Sequence, residues 1–364
     1  MTSDQPVGDR FRQFRDRVDG GGQPSGGPGG EGAVSRRRGG RRGGEELRVP
    51  EAEFVSYYGR PIIKPPVWKW DIAAYLFTGG LAAGSSLLAA GGQLTGRPAL
   101  RRAGRVTALA AIGASTAFLI RDLGRPERFH HMLRVAKPTS PMSMGTWILA
   151  AFGPAAGVAA VAEAAPLLPA GGLLGLAGRV LPPIGRVAGL AAAATAPALA
   201  TYTGVLLADT AVPSWHEAYP ELPVVFAGSA LASGAGVGLI AAPAEQAGPA
   251  RRMALAGAAL EVGAASRMES RLGLLAEPSR TGRPGTLLRA GRVLTAAGTV
   301  GALAGRRSRV LSVVSGAALL AGSLATRFGV FHAGLASARD PKYTVVPQRE
   351  RLGRRPKTTA VAAD

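Results

Sequence analysis

Two apolar runs flank the segment Arg121–Trp147, RDLGRPERFHHMLRVAKPTSPMSMGTW, and they constrain this chain more than any other feature. Ala103–Ile120 carries no charge except Arg105, and Met142–Val161 carries none. Each approaches the roughly 20 residues that an α-helix needs to cross a hydrocarbon core. Such runs suit a bilayer, and the charged, turn-rich segment between them is where a membrane protein keeps its chemistry. Reading outward with Arg, Pro and Gly clusters as boundaries gives eight spans, at 72–94, 103–121, 142–163, 186–208, 222–243, 252–268, 286–304 and 309–331. The sixth holds Glu261 and the seventh carries Arg289 and Arg292, so these two are the weakest. Residues 164–185, rich in Pro, Gly and Leu, read as a long loop with room for a short interfacial helix.

Composition agrees. A chain with 47% hydrophobic residues, only 5% aromatic and 52 glycines fits helices packed in lipid through small side chains. Gly80 and Gly84 stand four apart in the first span, the spacing of a packing face. There is no cysteine, which excludes disulfides, thiolate metal sites, a catalytic thiol and any cysteine-ligated iron–sulfur cluster within this chain. Any such cluster belongs to a partner. His130, His131, His216 and His332 fall in connecting segments or near a helix end, so no pair is placed to hold a haem in mid-membrane, and no haem is expected.

The net charge of +20 and the arginines at 36–38 and 41–42 invite a nucleic-acid reading. Multi-spanning proteins carry the same excess on their cytoplasmic segments, and that reading is preferred, with no nucleic-acid partner. Residues 1–53 then form a disordered, basic cytoplasmic extension, 54–335 the membrane domain and 336–364 a basic C-terminal tail. With eight spans both termini share one side of the cell (inner) membrane. About 31 of the Lys and Arg residues fall on that side against about 11 on the other, which makes it the cytoplasmic one.

Most polar, aromatic and ionisable residues near helix ends gather on this side: Trp70, Asp71 and Tyr75; Asp122, Arg125 and Arg128; Trp147; Tyr202 and Asp209; Trp215 and His216. Ionisable groups at membrane depth are costly and line a cavity or pair with one another, so Asp71, Asp209 and Glu261 are candidates for proton transfer. Asp122 suits proton handling or an ion pair with a neighbouring arginine. Glu261 is either paired with an arginine from another helix or protonated in apolar surroundings. Tyr75 and Tyr202 lie within apolar helices, where a phenol needs a partner, either a helix carbonyl or the carbonyl of a ligand. Walker A, HExxH and G-x-S-x-G patterns are absent.

Trp70-Asp-Ile-Ala-Ala-Tyr-Leu-Phe-Thr-Gly-Gly, Asp122-Leu-Gly-Arg-Pro-Glu-Arg-Phe, Ser140-Pro-Met-Ser-Met-Gly-Thr-Trp, Tyr202-Thr-Gly and Ala211-Val-Pro-Ser-Trp together resemble the NrfD/PsrC family of polysulfide-reductase-type membrane subunits, over about residues 54–335. The resemblance implies an all-α membrane protein of eight transmembrane helices in two four-helix bundles. It implies a quinone-reactive anchor of a respiratory oxidoreductase, binding menaquinone or ubiquinone. Electrons would pass to or from a ferredoxin-like iron–sulfur subunit that serves a molybdenum or tungsten pterin catalytic subunit. Carried over residue by residue, Tyr202 resembles a quinone-contacting tyrosine, with Trp70, Tyr75 and Asp122 around the same pocket. Arg125, Arg128, Trp147 and Trp215 fall where the partner would dock. The alternative is a proton-conducting or transporter-type membrane protein without redox function, for which no internal repeat is evident.

Overall fold

The structure is a computed structural model describing residues 61–169 and 171–354. The basic extension read over 1–53 and residues 355–364 of the tail lie outside the described residues. Eight long helices dominate: α1 (Trp70–Leu94), α2 (Pro98–Asp122), α3 (Pro141–Val161), α4 (Gly172–Ala208), α6 (Leu222–Ala241), α7 (Gly248–Leu272), α9 (Gly282–Ala304) and α10 (Arg309–Arg339). Short helices α5 (Pro213–His216), α8 (Glu277–Arg280) and α11 (Lys342–Arg354) fill the connections at the end where α1 begins, as does a 3-10 helix at Pro126–Leu133. Six of the long helices, α1, α2, α3, α4, α6 and α10, are long and apolar enough to cross a membrane. No strand occurs among the described residues.

The helices start where proline permits. Pro98, Pro141, Pro223 and Pro249 each stand in a first turn, where a missing N–H costs nothing and the fixed φ is already helical. Helix α2 therefore begins at Pro98 and takes in Arg101 and Arg102, which an apolar-run reading leaves outside. Helix α4 departs further from the sequence reading. Residues 172–185 continue it as one helix of 37 residues despite Pro182 and Pro183. Tertiary contacts supply what local propensity lacks there: Arg105 donates to Gly185 O at 2.8 Å and Gln93 donates to Arg186 O at 3.3 Å. Likewise, α10 runs on to Arg339, and α11 takes up residues from Lys342.

Small residues set the packing. Helix α1 lies against α2, α4 and α6, while α6 also packs on α7 and α10, α9 on α10, and α3 on α4. At the α1–α6 crossing a Cβ at Gly84 would fall inside the carbonyl of Ala230, and one at Gly234 would strike the backbone of Gly84. The two backbones touch, which only glycine allows. At the end remote from the Trp70 terminus, buried Arg105 of α2 bridges to α3 through Ala159 O at 3.4 Å, to Glu163 just beyond α3 at 2.8 Å, to Gln93 of α1 at 2.5 Å and to Gly185 O of α4. Arg309 donates to Leu239 O and Ala242 O, satisfying the terminal carbonyls of α6. At the Trp70 end, Glu221, immediately before α6, receives Arg271 Nε at 2.8 Å and Nη2 at 2.7 Å.

Gly84→Leu should force α1 and α6 apart and destabilise the fold by about 1–3 kcal/mol, the usual cost of overpacking; a thermal-unfolding midpoint of the detergent-extracted protein reads it. The Arg271 hydrogen bond and charge hold the Glu221 carboxyl below the usual range. A depressed folded pKa stabilises fully above the unfolded value, roughly 4.3, and the contribution fades as pH falls through the folded pKa. The wild type should therefore lose stability on acidification below about pH 4 more steeply than Glu221→Gln, as measured by thermal midpoints across pH.

Candidate functional site

Asp71 and Tyr75 sit four apart on α1 and so share a face, which turns toward α2 and α4. Tyr202 stands on α4, in the last two turns before its end at Ala208. The two phenols are buried, at 3% and 7% exposure, and their hydroxyls hydrogen-bond to each other. Neither hydroxyl makes another hydrogen bond among the described residues. Two hydroxyls carry two protons, and a single bond between them uses one. The second O–H remains available to an acceptor in the adjoining space.

That space is a cavity of about 70 Å³ lined by Trp68, Tyr75, Asp122, Met132, Gly145 and Tyr202, with further apolar side chains. Gly145 of α3 is necessary to it, because a Cβ there would collide with the Tyr202 ring. Charges of both signs lie one helical turn from Tyr75. Asp71 is 8% exposed and lies 3.7 Å from Arg121 Nε, one of its oxygens otherwise lacking a partner. Asp122 ends α2 on the cavity wall, near Asp71 and Lys69.

Trp70 is not at the cavity. It is 52% exposed, edge-on to Phe118 at 5.7 Å and under the Arg121 guanidinium. Trp68, two residues earlier, stands on the wall instead. Asp209 is exposed and lines a different cleft of about 400 Å³ with His216, Glu217, Tyr343 and Arg351. Burial raises the Tyr343 phenol above its ordinary value there. Arg125 and Arg128 are exposed at the 3-10 helix, with no ion pair among the described residues. Trp147 is 40% exposed and donates to Val135 O at 3.3 Å. Trp215 is only 2% exposed, so its ring belongs to the core rather than to the surface.

Glu261 belongs to a separate polar cluster between α6, α7, α9 and α10. It accepts from Thr326 at 2.5 Å, and its second oxygen has no partner among the described residues. Arg327, fully buried, donates to Phe226 O at 2.7 Å and lies over the Phe226 ring at 3.9 Å. A Cβ on Gly80 of α1 would come within 2.6 Å of the Arg327 guanidinium, so that glycine makes room for the charge. Sequence reasoning passed over Arg327. Its signal was present, since beyond Arg309 at the very start it is the one charged residue in the apolar run 309–331.

A helical bundle built for lipid, with a buried phenol pair and carboxylates at one end, defines an integral membrane protein with a polar site at the membrane boundary. The family model described as polysulphide reductase, NrfD, matches residues 62–254, more than half of the chain, and the chain belongs to that family. Over 94 residues it is 36% identical to the C subunit of polysulfide reductase from Wolinella succinogenes, an alignment that covers 24% of this chain and 30% of that protein. The match thus spans about a third of that relative's length. Tyr75, Asp122, Tyr202 and Trp215 fall within the family match, whereas Glu261 and Arg327 lie beyond it.

Proposed function

We propose that this chain is the quinone-reactive membrane subunit of a respiratory oxidoreductase, exchanging electrons and protons between the quinone pool and an iron–sulfur partner. The spare proton of the Tyr75–Tyr202 pair carries this reading. A buried O–H left unmet costs on the order of 1–3 kcal/mol, and a ligand carbonyl at the cavity would meet it. The lining suits a quinone head group, with flat aromatic and methionine surfaces around one phenol donor. Bound menaquinone or ubiquinone would supply two-electron, two-proton chemistry. The protein's own part is to orient the ring through Tyr202 and Tyr75 and to hold protons at Asp122 and Asp71 on the way to the aqueous mouth. Glu261 is kept as a proton-handling carboxylate of the second half, and Asp209 as one at the surface cleft.

Within this reading all eight long helices cross the membrane as two four-helix bundles, α1 to α4 and α6, α7, α9 and α10. Part of the charge on α7 and α9 turns inward, which supports that arrangement: Arg251 donates to Ala302 O, Ala244 O and Arg306 O, and Arg292 pairs with Glu269, while Arg252, Arg267 and Arg289 stay exposed. The Trp70 end faces the cytoplasm of the inner membrane. Arg125, Arg128 and Trp147 present a basic and aromatic surface there to a ferredoxin-like subunit, which in turn serves a molybdenum or tungsten pterin enzyme. Trp215 is better placed as a support of the cavity wall than as a docking side chain.

Tyr202→Phe should leave assembly intact and slow quinone-linked turnover, since the lost hydroxyl contributes about 0.5–1.5 kcal/mol of hydrogen bonding and little packing. Turnover of the assembled complex with a short-chain quinol decides it, and wild-type kinetics would remove Tyr202 from the site. Arg125→Ala with Arg128→Ala should release the iron–sulfur subunit from membranes, more completely at high salt, where exposed ion pairs are screened. If that subunit stays bound while this chain disappears, the arginines are internal braces.

A further inference from the structure

Trp68 is the one tryptophan on the cavity wall, and its position is fixed from the opposite half of the molecule. It precedes α1 in an extended stretch that follows Pro65 and Pro66, so no helical hydrogen bonds hold it. Its support is Trp215, stacked on it with ring centroids 6.0 Å apart and planes 27° apart. Trp215 is immobile in turn. Its indole N–H donates to Val330 O at 2.8 Å, the Phe331 ring lies tilted against it with centroids 6.0 Å apart, and the adjacent Ser214 hydroxyl bonds Ser337 at 2.9 Å. Gly334 of α10 completes the seat, because a Cβ at that position would lie within the Trp215 ring.

We infer that Trp68 is the aromatic face against which the ligand's ring stacks, and that Trp215, seated on Gly334 of α10, is the residue that positions it. This rests on the quinone reading of the cavity. An electron-poor quinone ring stacks well on an electron-rich indole, while the phenol pair addresses its carbonyl edge. Stack and hydrogen bond together fix both the plane of the ring and its rotation within that plane. Trp70, at the helix start and directed at Phe118, takes no part.

The test titrates the full chain in its complex with menadione and with a short-chain ubiquinone, reading tryptophan emission, which a quinone in van der Waals contact quenches. The wild type should show saturable quenching. Trp68→Leu should abolish most of it and weaken binding about threefold to tenfold, the worth of an aromatic pair, with kcat less affected than KM. Trp68→Phe should keep the affinity while losing the quenching, and Trp70→Leu should change neither. Gly334→Ala, whose methyl would fall on the Trp215 ring, should weaken binding as Trp68→Leu does. Trp68→Leu with undiminished quenching and affinity overturns the inference while leaving the quinone site standing. A wild type that shows no saturable binding of either quinone overturns the quinone reading itself.

Discussion

The contact between Gly84 and Gly234 is the constraint on which the arrangement depends. In lipid, apolar side chains gain little by leaving one apolar medium for another, so helices associate through close backbone approach and polar links. The α1–α6 crossing supplies that approach and makes α1 the shared wall of both halves, packed on α2, α4, α6 and, more lightly, α7 and α10. One face of α1 carries Tyr75 toward α4, while Gly80 meets Arg327 from α10. A bulkier residue at the crossing would displace both at once. The phenol pair and the buried guanidinium are thus coupled through a single rigid helix.

The second constraint is that polar groups within a bilayer must be satisfied from inside the protein. At the end remote from the site, arginines meet it structurally: Arg105 links four helices through Glu163, Gln93 and Gly185 O, and Arg309 and Arg251 close helix carbonyls. At the site end the satisfaction is incomplete. An oxygen of Asp71 has Arg121 at 3.7 Å but no hydrogen bond among the described residues, and the phenol pair keeps a spare proton. Complete pairing is what a brace needs. The proposed exchange of protons and binding of a carbonyl would need capacity left over, and the two ends of the protein differ in that respect.

Six of the eight spans read from the sequence were legible because bilayer length and the absence of charge are strong, local signals; the limits of α2 and α4 were not, because each is set by partners elsewhere in the chain. Pro182 and Pro183 look like loop punctuation until Arg105, about 80 residues away, is seen to donate into that stretch. The aromatic and acidic character of the site was legible too, in the motifs around Trp70–Tyr75, Asp122 and Tyr202. That Tyr75 meets Tyr202 across 127 residues was not, nor was the exchange of Trp68 for Trp70. Both tryptophans stand near the start of α1, and only the direction in which the helix begins decides which of them turns inward. For Glu261 the sequence left two environments open. Thr326 and Arg327 now define its surroundings, with a hydroxyl on one oxygen and the arginine near but not within ion-pair distance.

The phenol pair is held in place by packing, and Gly145 is the reason. Helix α3 approaches α4 so closely there that the Tyr202 ring has backbone and hydrogen against it where any other residue would place a methylene. The ring is confined between that surface and the cavity, which leaves its hydroxyl one direction, toward Tyr75. Tyr75 is confined in the same way by burial on α1. Were a carbonyl to accept the spare proton, as the quinone reading proposes, two phenols held so by separate helices would lose little further rotamer freedom, since that entropy was lost on folding. The packing of small residues that lets the helices associate in lipid therefore also fixes the donor geometry of the site.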